Sequence, residues 1–514
     1  MIIPDETAKT PIVEESEVQE RSRPSISQYT PLQPEGESPP AYYGSNAQPT
    51  YLPRNTPYDV EDQASHSHQR RRSPGARLLR GLLIACIIWT LMALVFGSFT
   101  LLKRERKPND WEDSDNHDGA EEPDRTDPKP HFEYDIPSGL LLSDCVQGSA
   151  WIPHWSDDSS MGAHAAFDLS LEDAELFLIS RGQLSSGTLD VITSPTQPSN
   201  TVRIVVDVHY AVEEAREMAM ACKMARALGD EPEGVGIFTP RWRNEQTKRA
   251  GTISFETTVI FPEVAVGAEP LFVKTFTVEV PNTVQRFADI NEKVRFGFLM
   301  LRASNEPIEV KSLNALNADV RNKNAHVRGI FNTTSSLVLE TTNSLIEADV
   351  GLHSVNGSSP IFFAQSTNGP IDASFSLTSD TTTTNPSYSI STTTSNSDAL
   401  IHIPNQPINS ILYLTTTATN GPAHVFLNRA FEGGIWLESP GAIVIKEDKA
   451  VEDPSGARRK RIVAYKSGKR QGKQVIAGSV IWGAEGSPRW GGAAGHGDGV
   501  VTIRNSNAPL TLEL

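Results

Sequence analysis

Read for where its apolar residues fall, the chain changes character twice. Residues 1–76 have no apolar periodicity of either kind. Residues 81–102 (GLLIACIIWTLMALVFGSFTLL) are apolar without a single charge, and from about residue 140 short stretches alternate apolar with polar positions. Period-two alternation in segments rich in Val, Ile, Thr and Phe predicts half-buried strands. The clearest are 201–208 (TVRIVVDV), 252–261 (TISFETTVIF), 271–280 (LFVKTFTVEV) and 294–301 (VRFGFLML). Residues 211–228 give two signals. Their Ala, Glu and Met content favours a helix, yet Met218, Met220, Cys222 and Met224 alternate, and the alternation favours a strand.

The uncharged stretch is 22 residues long. At about 1.5 Å per residue it matches the roughly 30 Å hydrocarbon core of a bilayer, and it lies too far into the chain for a cleaved signal peptide. It divides the chain into a disordered Pro/Ser-rich tail (1–76), a single transmembrane helix (77–102), a charged acidic linker (103–139) and an all-β domain (140–514). Nine acids between Asp110 and Asp127 make the linker self-repelling and extended. Basic residues flank the span almost equally, with Arg70, Arg71, Arg72, Arg77 and Arg80 before it and Lys103, Arg104, Arg106 and Lys107 after it, so charge asymmetry barely orients it. Two other features place the N-terminus in the cytosol and the β domain in an extracellular or lumenal space. Both Asn-x-Ser/Thr sequons, at Asn332 and Asn356, follow the span, and the tail carries Pro39, Pro40 and Tyr42 in a P-P-x-Y motif, the type that cytosolic WW domains read as polyproline II. The expected partners are therefore the lipid bilayer, a WW-domain protein on the tail, and a glycan or protein ligand on the β domain.

Within the β domain the second half repeats. Aligned on an Asn, the units begin at Asn305 (NEPIEV), Asn324 (NAHVRG), Asn343 (NSLIEA), Asn368 (NGPIDA), Asn396 (NSDALI), Asn420 (NGPAHV) and Asn507 (NAPLTL), with spacings of 19, 19, 25, 28, 24 and 87. About 20 residues suffice for two short strands and their corners, and such units bury their apolar faces only by stacking. The prediction is β-solenoid or β-roll-like repeats over 304–514, with an insertion at about 440–500, behind a β-sandwich-like part at 140–303. Asn suits the repeated corner because it tolerates left-handed backbone and bonds neighbouring main chain, and stacked Asn side chains can bond one another.

The Asn-x-Pro-Ile core, GVGIFTP at 234–240 and RNSNAPL at 504–510 resemble fungal single-pass membrane proteins with a Pro-rich cytosolic tail and an adhesin-like all-β domain. The resemblance implies the same layout upstream and transfers no catalytic residue. Asn324 and Asn396 depart from the pattern in lacking the Pro, and the tract 381–394 is longer.

Composition narrows the chemistry. A net charge of −17 argues against a nucleic-acid partner. Of the three cysteines, Cys86 lies in the span, and Cys145 and Cys222 follow it; one disulfide or two separate buried thiols are both open. No phosphate-loop, G-x-S-x-G or H-E-x-x-H motif occurs, so neither a catalytic nor a metal nor a cofactor site is expected. The Gly-rich stretch 483–499 reads as a loop, the basic residues from Arg458 to Lys473 as a solvated hairpin, and Trp151 and Trp155 as core before sugar platform. Glu309, Glu347 and Asp372 share one register and read as a solvated stripe on an outer face. The leading expectation is a non-catalytic surface or wall-facing scaffold. The alternatives are a secretory-pathway adaptor or cargo protein sorted through its tail and, less favoured, a membrane-tethered carbohydrate-active enzyme.

Overall fold

The computed structural model describes residues 132–514 except 156–160, 173–174, 227–232, 241–251, 266, 381–384, 449 and 484–498. The tail with Pro39, Pro40 and Tyr42, the predicted span 77–102 and most of the linker lie outside the described residues. Among the described residues no helix is long and apolar enough to cross a membrane.

The domain is all-β. In chain order its strands are β1 (Leu140–Gln147), β2 (Ile152–Trp155), β3 (Met161–Ser170), β4 (Glu175–Arg181), β5 (Ser186–Ser194) and β6 (Thr201–Tyr210), then, after the short helix α1 (Glu213–Met218), β7 (Met220–Arg226), β8 (Gly234–Phe238) and β9 (Ile253–Pro262). The middle of the chain adds β10 (Leu271–Glu279), β11 (Asn282–Asp289), β12 (Val294–Arg302), β13 (Ile308–Asn322), β14 (Val327–Thr341), β15 (Ile346–Ser354), β16 (Ile361–Ser366) and β17 (Ile371–Ser379). The remainder is β18 (Ser387–Thr394), β19 (Ala399–Asn405), β20 (Ile411–Ala418), β21 (Ala423–Phe426), β22 (Gly433–Ser439), β23 (Ile443–Lys446), β24 (Lys460–Arg470), β25 (Lys473–Gly483), β26 (Gly499–Asn505) and β27 (Leu510–Glu513). Residues 211–226 are thus a helix followed by a strand: the alternation from Met220 onward is real, and the Glu-rich run before it forms one helical turn and a half.

Pairing sorts these strands into two faces. The back face runs β1, β7, β8, β4, β10, β12, the second half of β13, the second half of β14, then β16, β18, β20, β26, β22, β25 and β24. The front face runs β2, β3, β6, β9, β5, β11, the first halves of β13 and β14, then β15, β17, β19, β21, β27 and β23. From β4 and β5 to β26 and β27 every pairing along both faces is parallel, so the chain winds in coils, each coil crossing the back and then the front. The parallel pairing already includes β4, β5 and β8 to β12, so it does not begin at 304. In the part expected to be sandwich-like, only β1, β7, β2, β3 and β6 make antiparallel outer layers.

Period two produces this burial directly. In β15 the residues alternate buried with partly or fully exposed from Ile346 to Ser354, so each coil offers one apolar row inward and one polar row outward. The inward rows of the two faces meet in one core. Phe362 on the back and Phe375 on the front stack edge to face at 4.8 Å, and Phe261 of the front meets Phe276 and Phe296 of the back at 5.6 and 5.9 Å.

The order of coils departs from chain order at the C-terminal end. β26 lies between β20 and β22, and β27 between β21 and β23. The inserted part therefore starts earlier than the expected 440, at β22: it holds a further coil, β22 with β23, and the hairpin of β24 and β25, which forms the outer edge of the back face. Gln471 and Gly472, both at positive φ, make its two-residue turn between Arg470 and Lys473. The basic residues of this hairpin guard an edge strand against pairing with another chain.

Candidate functional site

The corner Asn residues are brought into a single line. Asn305 donates its side-chain amide to Asn282 at 2.6 Å, Asn324 to Asn305 and Asn343 to Asn324 at 2.8 Å, Asn368 to Asn343, Asn396 to Asn368 and Asn420 to Asn396 at 2.7 Å, and Asn507 to Asn420 at 2.6 Å. The ladder crosses the 87-residue gap because β26 and β27 sit on the coil of β20 and β21. Its first member, Asn282, lacks the repeat signature, since Pro281 precedes it and Gln285 stands three places on, where every other unit has an apolar residue. The left-handed backbone expected at these corners is not found: positive φ occurs at Asn356 and Asn409 but at none of the ladder residues. What selects Asn is an amide that donates downward and accepts from above at the roughly 4.8 Å spacing of paired strands. Two residues before five of the eight (at Asn322, Thr341, Ser366, Thr394 and Asn505) a buried polar side chain fastens the corner, as when Thr341 Oγ1 donates to Ser344 O at 2.7 Å and Asn505 Nδ2 to Gly421 O at 2.7 Å.

Cys145 on β1 and Cys222 on β7 form a disulfide. Beside it the segment read as linker already joins the domain. Tyr134 bridges to Pro240, accepts from Gln147 Nε2 at 2.6 Å and donates to Met218 O; burial pushes its phenol up to about 12, against the opposing Gln147 hydrogen bond. Trp151 is 1% exposed and gives its indole N–H to Ala219 O, so it is core and no sugar platform.

The two sequons differ. Asn356 is exposed in a turn at positive φ. Asn332 is half-buried, its amide donating to Asn291 Oδ1 at 2.9 Å and its oxygen lying 2.2 Å from where a Cβ on Gly351 would stand.

Glu309, Glu347 and Asp372 do share one outward row of the front face, with Arg328 between the first two: Glu309 pairs with Arg328, Arg328 with Glu347, and Glu347 with Asp372. Arg328 clasps Glu347 at 2.6 Å. Burial together with Glu347, Asp349 and Asp398 holds the Asp372 carboxyl above its usual range. Around the exposed Ile330, Arg328, Glu347 and Asp372 line a groove of about 380 Å³ with Asp349 and Ser374. Gly329 forms its floor at φ 154, where a Cβ would stand 2.3 Å from Val310 O.

A second constellation has no counterpart in sequence spacing. On the outward side of the antiparallel strands β2, β3, β6 and β9, His154 faces Gly162, Gly162 faces His209, His164 faces Asp207, and Asp207 faces Glu256. The His154 ring is 5.7 Å from that of His164 and 6.2 Å from that of His209. Burial raises the Asp207 carboxyl, an effect opposed by the three histidines.

No family model matches the chain. No curated protein matches it. Among solved structures, it is similar to a candidate cell adhesion protein from Clostridium sporogenes, at 8% identity and a TM-score of 0.15, over 68% of this chain and 99% of that one. A likeness at this level assigns neither fold nor function.

Proposed function

We propose that this chain is a single-pass membrane protein that displays a non-catalytic β scaffold outside the cytosol and binds a glycan or protein ligand with the outward side of its front face. The carrying observation is the groove around Ile330, where Arg328, Glu347, Asp349 and Asp372 set charged groups about one exposed apolar side chain on a rigid sheet. Apolar contact ringed by fixed polar groups is the usual composition of a binding surface. The Cys145–Cys222 disulfide supports an oxidising compartment, and the uncharged stretch 81–102 supplies the anchor. The cytosolic tail, through Pro39, Pro40 and Tyr42, is the place for a WW-domain partner, and the layout agrees with the fungal proteins that the sequence resembles.

Two measurements test this reading. In intact cells expressing the chain with a tag at each end, external protease removes the C-terminal tag, and endoglycosidase shifts the C-terminal fragment. Asn356→Gln abolishes that shift and Asn332→Gln leaves it; protection of the C-terminal tag together with no glycan shift overturns the topology. Binding of the purified chain to glycan and cell-surface panels is lost in Ile330→Ser and Arg328→Ala variants that still fold, and binding indifferent to both overturns the groove.

A further inference from the structure

We propose that His154, His164 and Asp207 form a binding site for a divalent first-row transition ion, zinc foremost, with His209 and Glu256 as its supporting neighbours. One ligand atom from each of the first three lies within 4.8 Å of the others. A tetrahedral ion held at about 2.1 Å places its ligand atoms about 3.4 Å apart. The remaining closure, on the order of one ångström, is within reach of side-chain torsions on a fixed backbone. Two imidazoles and a carboxylate are the donor set that such ions take, leaving a further position open.

Three features distinguish this cluster from an ordinary polar sheet surface. First, its members come from adjacent strands in two neighbouring outward rows, so the backbone pairing fixes their spacing. Second, the row containing His154 has a glycine at its centre. A Cβ on Gly162 would lie 2.9 Å from His154 Nε2 and 3.0 Å from its Cε1. The imidazole lies across β3 in space that any other residue would fill, and that placement brings it towards His164 and His209. Third, His154 Nδ1 is buried and makes no hydrogen bond. Unpaired buried ring nitrogens are unfavourable, and a cation gives such atoms a partner. His209 Nε2 stands 3.6 Å from Glu256, the carboxylate–histidine arrangement that commonly orients ligands around a metal.

The test uses the full-length chain in detergent, purified on a His-free tag and stripped with chelator. Titration with zinc chloride and, separately, cobalt chloride is followed by calorimetry and by the visible bands of bound cobalt. The expected result is one equivalent per chain, with cobalt bands of the intensity of four- or five-coordinate nitrogen and oxygen ligation that zinc abolishes. His164→Asn and Asp207→Asn each weaken binding by more than about 100-fold, and Gly162→Ala, which removes no ligand, weakens it by about 10-fold. His353→Ala, in a residue bonded to Thr378 on the coil, leaves affinity unchanged. Circular dichroism establishes that each variant is folded; if Gly162→Ala is not, His164→Asn decides. Failure of the parent chain to bind one equivalent overturns the proposal, as does binding that survives a folded variant carrying His154→Gln, His164→Asn and Asp207→Asn together.

Discussion

Along the front face, two stretches of one sheet are assembled in opposite ways. Between β13 and β19 each outward row is built from residues one coil apart, so Arg328 meets Glu347 across 19 positions and His353 meets Thr378 across 25. Between β2 and β9 the rows are built by antiparallel strands that return from far along the chain, and His164 meets Asp207 while Asp207 meets Glu256. The coil is nearly one-dimensional: each turn depends on the turns that touch it. The antiparallel end ties distant segments together and closes the open end of the core. Repetition supports a long uniform surface, whereas long-range closure concentrates unlike side chains at one place.

The largest effect should come from the coil's out-of-order turn. Deleting residues 499–514 strips the shared edges of β20, β21, β22 and β23, and protease should then digest the C-terminal coils. A synthetic peptide of residues 499–514 added in trans should restore protection, because a vacant sheet position binds an extended strand; protection unaffected by the deletion contradicts the strand order. Next is the closed end. Removing the disulfide with Cys145→Ser and Cys222→Ser opens a loop of 77 residues, and chain entropy puts the cost at about 4 kcal/mol. Hydrogen exchange should rise in β1 and β7 and stay unchanged in β15 to β19. Exchange rising equally in both regions would mean that they unfold as one unit.

Smaller effects probe the coil alone. Asn343→Ala breaks two ladder bonds and should cost about 1–2 kcal/mol in denaturant unfolding, whereas Asn282→Ala at the ladder's first position breaks one and should cost about half as much. Equal losses would show that the ladder does not act bond by bond. The smallest is pH-dependent. Half-burial, the largest single influence, pushes the Asp319 carboxyl up, yet hydrogen bonds from Arg302 and Arg321 bring it below its usual 3.8. A lowered carboxyl contributes stability above its unfolded value and loses it as pH falls through the folded one. Asp319→Asn should therefore be less stable than the parent by about 1 kcal/mol at neutral pH, and the two should converge as pH falls below 3.8. A constant difference down to pH 2 would rule out the linkage.

How much of this is legible in the sequence follows from the same contrast. Strands β6, β9, β10 and β12 stand where the alternation puts them, and seven of the eight ladder residues are visible because a coil converts stacking into a sequence interval. Asn282 is hidden because its neighbours break the signature while its side chain keeps the function. The His154, His164 and Asp207 cluster is invisible for a stronger reason. Antiparallel pairing fixes no interval between partners, and the residue that makes room for His154 is a glycine, which leaves no chemical trace. Trp151 reads as core from residue type alone, but the acceptor for its indole, Ala219 O, depends on where α1 ends.

The interposed turn of β26 and β27 also has a consequence in time. Strand β23 ends at Lys446 and β26 starts at Gly499, so the gap between two finished turns stays open while some fifty further residues are made, a matter of seconds at ordinary rates of synthesis. During that interval two strand edges in the same molecule are ready to pair with whatever extended segment arrives. The correct segment has the advantage of being tethered to the gap. A chain that stopped short of it would carry an open seam, a mark by which an unfinished molecule differs from a finished one at a single place on its surface.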